Sequence, residues 1–153
     1  MRTSTFRGSL GSGDAGPEPA LMILLSSLFF LRVVGQLCVS RRRLRFLPPM
    51  EQWQSGLLPY PALLAAQGAI LGVQIAVDIQ SRQGRGLLVA SRPRLGRGMR
   101  LVSLVYFGSM VFRYGLSMRR HPDRRWFGQT IPIAFHCVLA TYLFLYAKVL
   151  RKP

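Results

Sequence analysis

Four stretches of the chain, 20–39, 57–77, 101–118 and 127–147, are apolar around their whole circumference rather than along one face. A helix on the surface of a water-soluble protein would carry polar residues every few positions on its wet side. In these stretches the only charged residues are Arg32 and Arg113. A helix rises about 1.5 Å per residue and a bilayer core is about 30 Å thick, so each stretch is near the length that crosses a membrane. Helices are expected rather than strands because a helix satisfies its own backbone hydrogen bonds in lipid. The pattern predicts an all-α, polytopic membrane protein with four transmembrane helices in an up-down bundle. The transmembrane domain covers 20–150. It follows a tail, 1–19, rich in Gly, Ser, Thr and Pro, which is expected to be disordered.

The segments between the stretches have the opposite character. Arg41, Arg42, Arg43 and Arg45 open the first, with Pro48 and Pro49 behind them. The second carries Arg82, Arg85, Arg92, Arg94, Arg97 and Arg100 among several glycines, and the third carries Arg119, Arg120, Arg124 and Arg125. A cleaved signal peptide fits the first stretch poorly. Asp14 and Glu18 separate Arg2 and Arg7 from the apolar run, and no small-x-small site follows Leu31. The first stretch is therefore read as a retained helix.

Composition sharpens this reading. Half of the residues are hydrophobic, yet 21 Lys+Arg stand against 5 Asp+Glu, a formal net charge of +16. That combination suits a membrane protein, in which apolar residues and charges separate along the chain. The arginine runs flank spans and lack interleaved stacking aromatics, so nucleic acid is not an expected partner. They read instead as anchors for membrane lipids, anionic ones above all. With four spans the termini share a side, where basic residues outnumber those of the other side by eleven to eight. The positive-inside rule then places both termini in the cytoplasm of a multi-pass protein, in a bacterial inner membrane.

The chemistry-bearing residues argue for no enzyme. The two cysteines, Cys38 and Cys137, form no C-x-x-C motif, and no nucleophile–base pair, metal-ligand cluster or phosphate-binding glycine loop is present. No catalytic residue, cofactor or metal site is expected. Three other features stand out. Gly68-x-x-x-Gly72 in the second span is a small-residue motif that lets another helix approach closely. Tyr60, Gln67, Gln74 and Asp78 recur at spacings that put them on one stripe of the same helix, expected to face the bundle. Arg32, Arg113 and His136 lie where charge in lipid is costly, and are expected to face the bundle interior, at least two of them sharing a buried polar pocket with Glu51 or an anionic headgroup as counter-ion. Ser103, Tyr106, Met110, Arg113 and Ser117 share a face of the third span. Asp78 is near the other end of its helix from Arg113, so depth argues against a direct pair.

Trp53 with Leu58-Pro59-Tyr60-Pro61, and Trp126-Phe127-Gly128-Gln129-Thr130-Ile131-Pro132 running to Phe135-His136, resemble an uncharacterised family of small four-helix bacterial integral membrane proteins. The resemblance implies four spans and no assigned activity. The leading functional expectation is a structural or accessory subunit that packs with other membrane subunits or with itself. The alternative is a small transporter or anionic-lipid-binding protein that uses the Arg/His pocket.

Overall fold

A computed structural model describes residues 16–41, 59–120 and 130–152. It contains four helices: α1 (Glu18–Arg41), α2 (Tyr60–Gln83), α3 (Pro93–Arg120) and α4 (Thr130–Val149). All four are long and apolar enough to cross a membrane. The 24 residues of α1 and of α2 rise about 36 Å, more than the hydrocarbon core requires. The expectation for 1–19 falls mostly on residues outside those described, but Glu18 and Pro19 are helical and belong to α1.

The helix ends follow from local chemistry. Pro59 precedes α2 and Pro61 sits in its first turn, where a missing amide proton leaves no hydrogen bond unmade. Gly84 ends α2 at φ 63°, a left-handed conformation that an L side chain resists, and the amides of Gly84 and Arg85 return to the carbonyls of Ser81 and Gln80. Helix α3 begins at Pro93, two turns before the third apolar stretch. Arg94, Arg97 and Arg100 therefore lie on helix rather than in loop. Charge marks the edge of an apolar window but does not stop a helix that starts with proline.

The main packing partners are α2 with α1, α1 with α4, and α4 with α3, each pair antiparallel. Among the described residues α2 and α3 share no comparable packing, so the four-helix bundle is open on that side. Glu18 at the start of α1 lies 3.2 Å from Lys152 beyond α4, which puts the two chain ends at one end of the bundle. The second loop lies at this end too and is tied down: Leu88 N–H donates to Gln80 Oε1, Tyr146 Oη to the Leu88 carbonyl and Arg92 N–H to the Leu150 carbonyl. Val89 packs against a core of Met22, Val77, Tyr142 and Leu145.

The distribution of polarity is the reverse of a water-soluble fold. Leu24, Phe30, Leu31, Val73, Val105 and Phe112 are exposed, while Arg32, Gln36, Gln67, Gln74, Asp78 and Ser103 are buried. Exposed large apolar side chains on α1, α2 and α3 are what lipid requires, and a polar interior is where side chains costly in lipid find partners.

Candidate functional site

The buried polar residues form two groups along the bundle. At the end nearer the chain termini, Asp78 of α2 meets Ser26 of α1 and Tyr142 of α4. Ser26 Oγ donates to one carboxylate oxygen at 2.6 Å, and Tyr142 Oη reaches the other at 3.0 Å. The same tyrosine hydroxyl lies 3.1 Å from the Gln74 carbonyl oxygen. Asp78 is only 6% exposed. The one ion pair among the described residues is Lys152 with Glu18, so the acceptors on Asp78 are served by hydroxyls and not by a cation.

Toward the other end, Arg32 of α1 lies 7% exposed between α2 and α4. Its Nη1 donates to Gln36 Oε1 at 3.2 Å, and the Gln67 amide of α2 donates to the same oxygen at 3.0 Å. The guanidinium also stands 5.4 Å from the centre of the Phe135 ring of α4, a cation–π distance. Next to Phe135 on α4, His136 Nδ1 and Tyr106 Oη of α3 share a hydrogen bond of 2.5 Å. Phe29, Arg32, Gln67, Ile70, Phe135 and His136 are among the residues that enclose a cavity of about 110 Å³. That volume holds several water-sized groups. Arg113 of α3 is half-buried.

The structure thus places Arg32 and His136 around one cavity, and Arg113 is not among the residues that line it. Glu51 lies outside the described residues. The α2 stripe has Gln67, Gln74 and Asp78 buried and Tyr60 half-buried at the end, where its hydroxyl is 2.9 Å from Ser40 Oγ. The Gln74 amide, between the two groups, has no hydrogen-bond partner among the described residues. On α3, Ser103 is buried and Tyr106, Met110, Arg113 and Ser117 are half-buried.

Gly68 and Gly72 are exposed, with open space where a Cβ would stand. Among the described residues nothing packs against them. The close approach falls instead at Gly96 of α3, where a Cβ would lie 2.9 Å from the Ala147 carbonyl oxygen of α4. Sequence reasoning assigned Gly96 to a flexible loop, and it missed Ser26 and Tyr142 as partners of Asp78. Hydroxyls inside an apolar span were the available signal for the latter, but which carboxylate they meet depends on helix pairing. Among the described residues no group of His, Cys, Asp and Glu could hold a metal ion. Comparison with protein-family models, curated proteins and solved structures finds no match.

Proposed function

We propose that this chain is a membrane-embedded binding protein that holds the anionic headgroup of a phospholipid at the Arg32–His136 cavity. The observation that carries the reading is a guanidinium 7% exposed, in the middle of an apolar span, lining a cavity among three helices. Arginine in the hydrocarbon costs about 2.5–3.5 kcal/mol on insertion scales, a cost that a bundle gains nothing by unless the charge is used. Guanidinium is suited to phosphate because its planar fork donates two parallel hydrogen bonds. Arg113, half-buried on α3, adds positive charge on that side. The excess of basic residues at the termini end favours a cytoplasmic face there in a bacterial inner membrane, which a reporter fused at Pro153 reads directly.

The test is thermal unfolding of delipidated protein with phosphatidylglycerol or phosphatidylcholine added back. Phosphatidylglycerol at a hundredfold excess over its Kd should stabilise by about 2.7 kcal/mol, and phosphatidylcholine by far less. Arg32→Gln should remove the difference. Equal stabilisation by both lipids in the wild-type chain would sink the reading. A Glu51→Gln variant separates the counter-ions. If Glu51 alone neutralises the arginines, its loss destabilises the protein and phosphatidylglycerol has no effect.

A second reading rests on α2. Gly68 and Gly72, with Ala65 near them, present an exposed strip of small residues on α2. Small residues at this spacing favour helix–helix contact in membranes, so the strip suits a second copy or a larger subunit in an accessory role. Replacing either glycine with Leu should reduce assembly in mild detergent without destabilising the monomer, since no neighbour among the described residues is near. Assembly that is unaffected by both replacements rules the strip out as an interface.

A further inference from the structure

Between α3 and α4, a groove of about 180 Å³ is lined by Ser103, Leu104, Phe107, Ala140, Thr141 and Phe144. It shares no lining residue with the Arg32 cavity. It is smaller than the roughly 300–1,000 Å³ of a small-molecule site. Its two hydroxyls are satisfied within their own helices. Ser103 Oγ donates to the Arg100 carbonyl at 2.8 Å, and Thr141 Oγ1 to the Cys137 carbonyl at 2.9 Å. An occupant is therefore offered apolar contact and no free side-chain donor. Leu104, Phe107 and Thr141 are exposed, so the groove opens outward from the bundle.

Two cations converge at one end of it. Arg100 Cζ lies 5.6 Å from the centre of the Phe144 ring and Lys148 Nζ 5.7 Å from the same centre, both cation–π distances. Arg100 stands just before the apolar stretch 101–118, and Lys148 lies in the last turn of α4, so both mark the end of the bundle that holds the chain termini. From Arg100 the groove continues along α3 to Phe107, and from Lys148 back along α4 to Ala140. These are rises of about 10 and 12 Å, within one leaflet's half of a hydrocarbon core about 30 Å thick. Charge at the surface and apolar surface toward the midplane is the order of a phospholipid: headgroup outward, chain inward. The sign of the headgroup also follows. Of the described carboxylates, Glu18 pairs with Lys152 and Asp78 is buried with Ser26 and Tyr142, and neither lines the groove. An ammonium would find no acceptor here and two like charges beside it, whereas a phosphate relieves the repulsion between them. We propose that the groove holds an anionic phospholipid, its phosphate on Arg100 and Lys148 and one acyl chain along Phe144, Thr141 and Phe107. Both cations are exposed, so this hold weakens as salt rises, unlike the one at Arg32.

Native mass spectrometry of the full chain in mild detergent at low salt tests this, with phosphatidylglycerol and phosphatidylcholine added at equal concentration. Arg32→Gln, which removes the cavity's guanidinium, is the background, so the two sites are read apart. In it phosphatidylglycerol should be retained roughly tenfold over phosphatidylcholine. Arg100→Gln with Lys148→Gln should remove that preference. Arg85→Gln with Arg94→Gln takes the same charge from the same end outside the groove, and should leave it in place. Thr141→Trp fills the groove without changing charge, and should expel the lipid. An Arg32→Gln chain with no preference for phosphatidylglycerol overturns the proposal. So does a preference that survives the Arg100 and Lys148 replacements or survives Thr141→Trp. An equal loss in the Arg85 and Arg94 pair also overturns it, because a diffuse basic surface would then be the cause. Should Arg32→Gln fail to fold, the wild-type background decides by the number of phosphatidylglycerol molecules retained. One fewer for the Arg100 and Lys148 pair than for the Arg85 and Arg94 pair supports the site, and equal numbers overturn it.

Discussion

Replacing Gly96 with Leu should separate α3 from α4. A Cβ at position 96 would meet the Ala147 carbonyl at 2.9 Å, Arg151 Cγ at 2.6 Å and Leu150 Cβ at 3.3 Å. The arginine stem can swing aside, but the carbonyl belongs to the backbone of α4 and cannot. Overpacking a fitted contact costs about 1–3 kcal/mol, and the longer Leu side chain should sit at the top of that range or beyond it. The contact also lies beside the hydrogen bond from Arg92 N–H to the Leu150 carbonyl, which anchors the loop that enters α3. Helix α3 has its main packing partner in α4, so little else holds it once that contact opens. Gly98 is the control. It has nothing within 4 Å, and Gly→Leu there should be neutral or stabilise, by up to about 1 kcal/mol, through helix propensity. Unfolding in mixed micelles and a cysteine cross-link between α3 and α4 read both variants. Equal effects at 96 and 98 would contradict the packing described.

The second large effect is expected at Asp78. Its carboxylate is where α1, α2 and α4 meet, through Ser26 and Tyr142. Asp78→Ala leaves the Ser26 hydroxyl without its acceptor, while Tyr142 retains the Gln74 carbonyl. A buried group left unsatisfied costs about 1–3 kcal/mol. Hydrogen bonds between membrane helices average nearer 0.6 kcal/mol because the unfolded chain in the bilayer also finds partners. The loss at Asp78 should therefore fall at about 1–3 kcal/mol, with Asp78→Asn well below it. A double-mutant cycle with Ser26→Ala should give a coupling energy clearly above zero. Additive losses would mean that the two side chains act independently.

What the sequence reveals here is set by how local each signal is. The four apolar spans are legible because lipid demands apolar surface on every face of a span, and that demand is visible residue by residue. Arg32, Gln67, Gln74 and Asp78 are legible as interior positions for the same reason: exposure of any of them to lipid is costly. Partnership is not local. Asp78 invites a search for a cation, and depth excluded Arg113, yet its partners are two hydroxyls on helices distant in the chain. Gly68-x-x-x-Gly72 identifies a face without identifying what covers it, and among the described residues nothing does. Gly96 was hidden in the other direction. It lies among arginines and reads as loop, although Pro93 starts a helix there and the α4 backbone passes close enough to require a residue without a Cβ.

The central claim is that an anionic headgroup reaches Arg32 inside the bundle. Solid-state NMR recoupling between lipid phosphorus and labelled arginine guanidinium carbon, on the chain reconstituted with phosphatidylglycerol, measures that contact directly. The account predicts one phosphorus–guanidinium contact that persists at high salt, where exposed arginines lose theirs to screening, and that vanishes in Arg32→Gln. Contacts that all fade with salt and are unchanged by Arg32→Gln would contradict it.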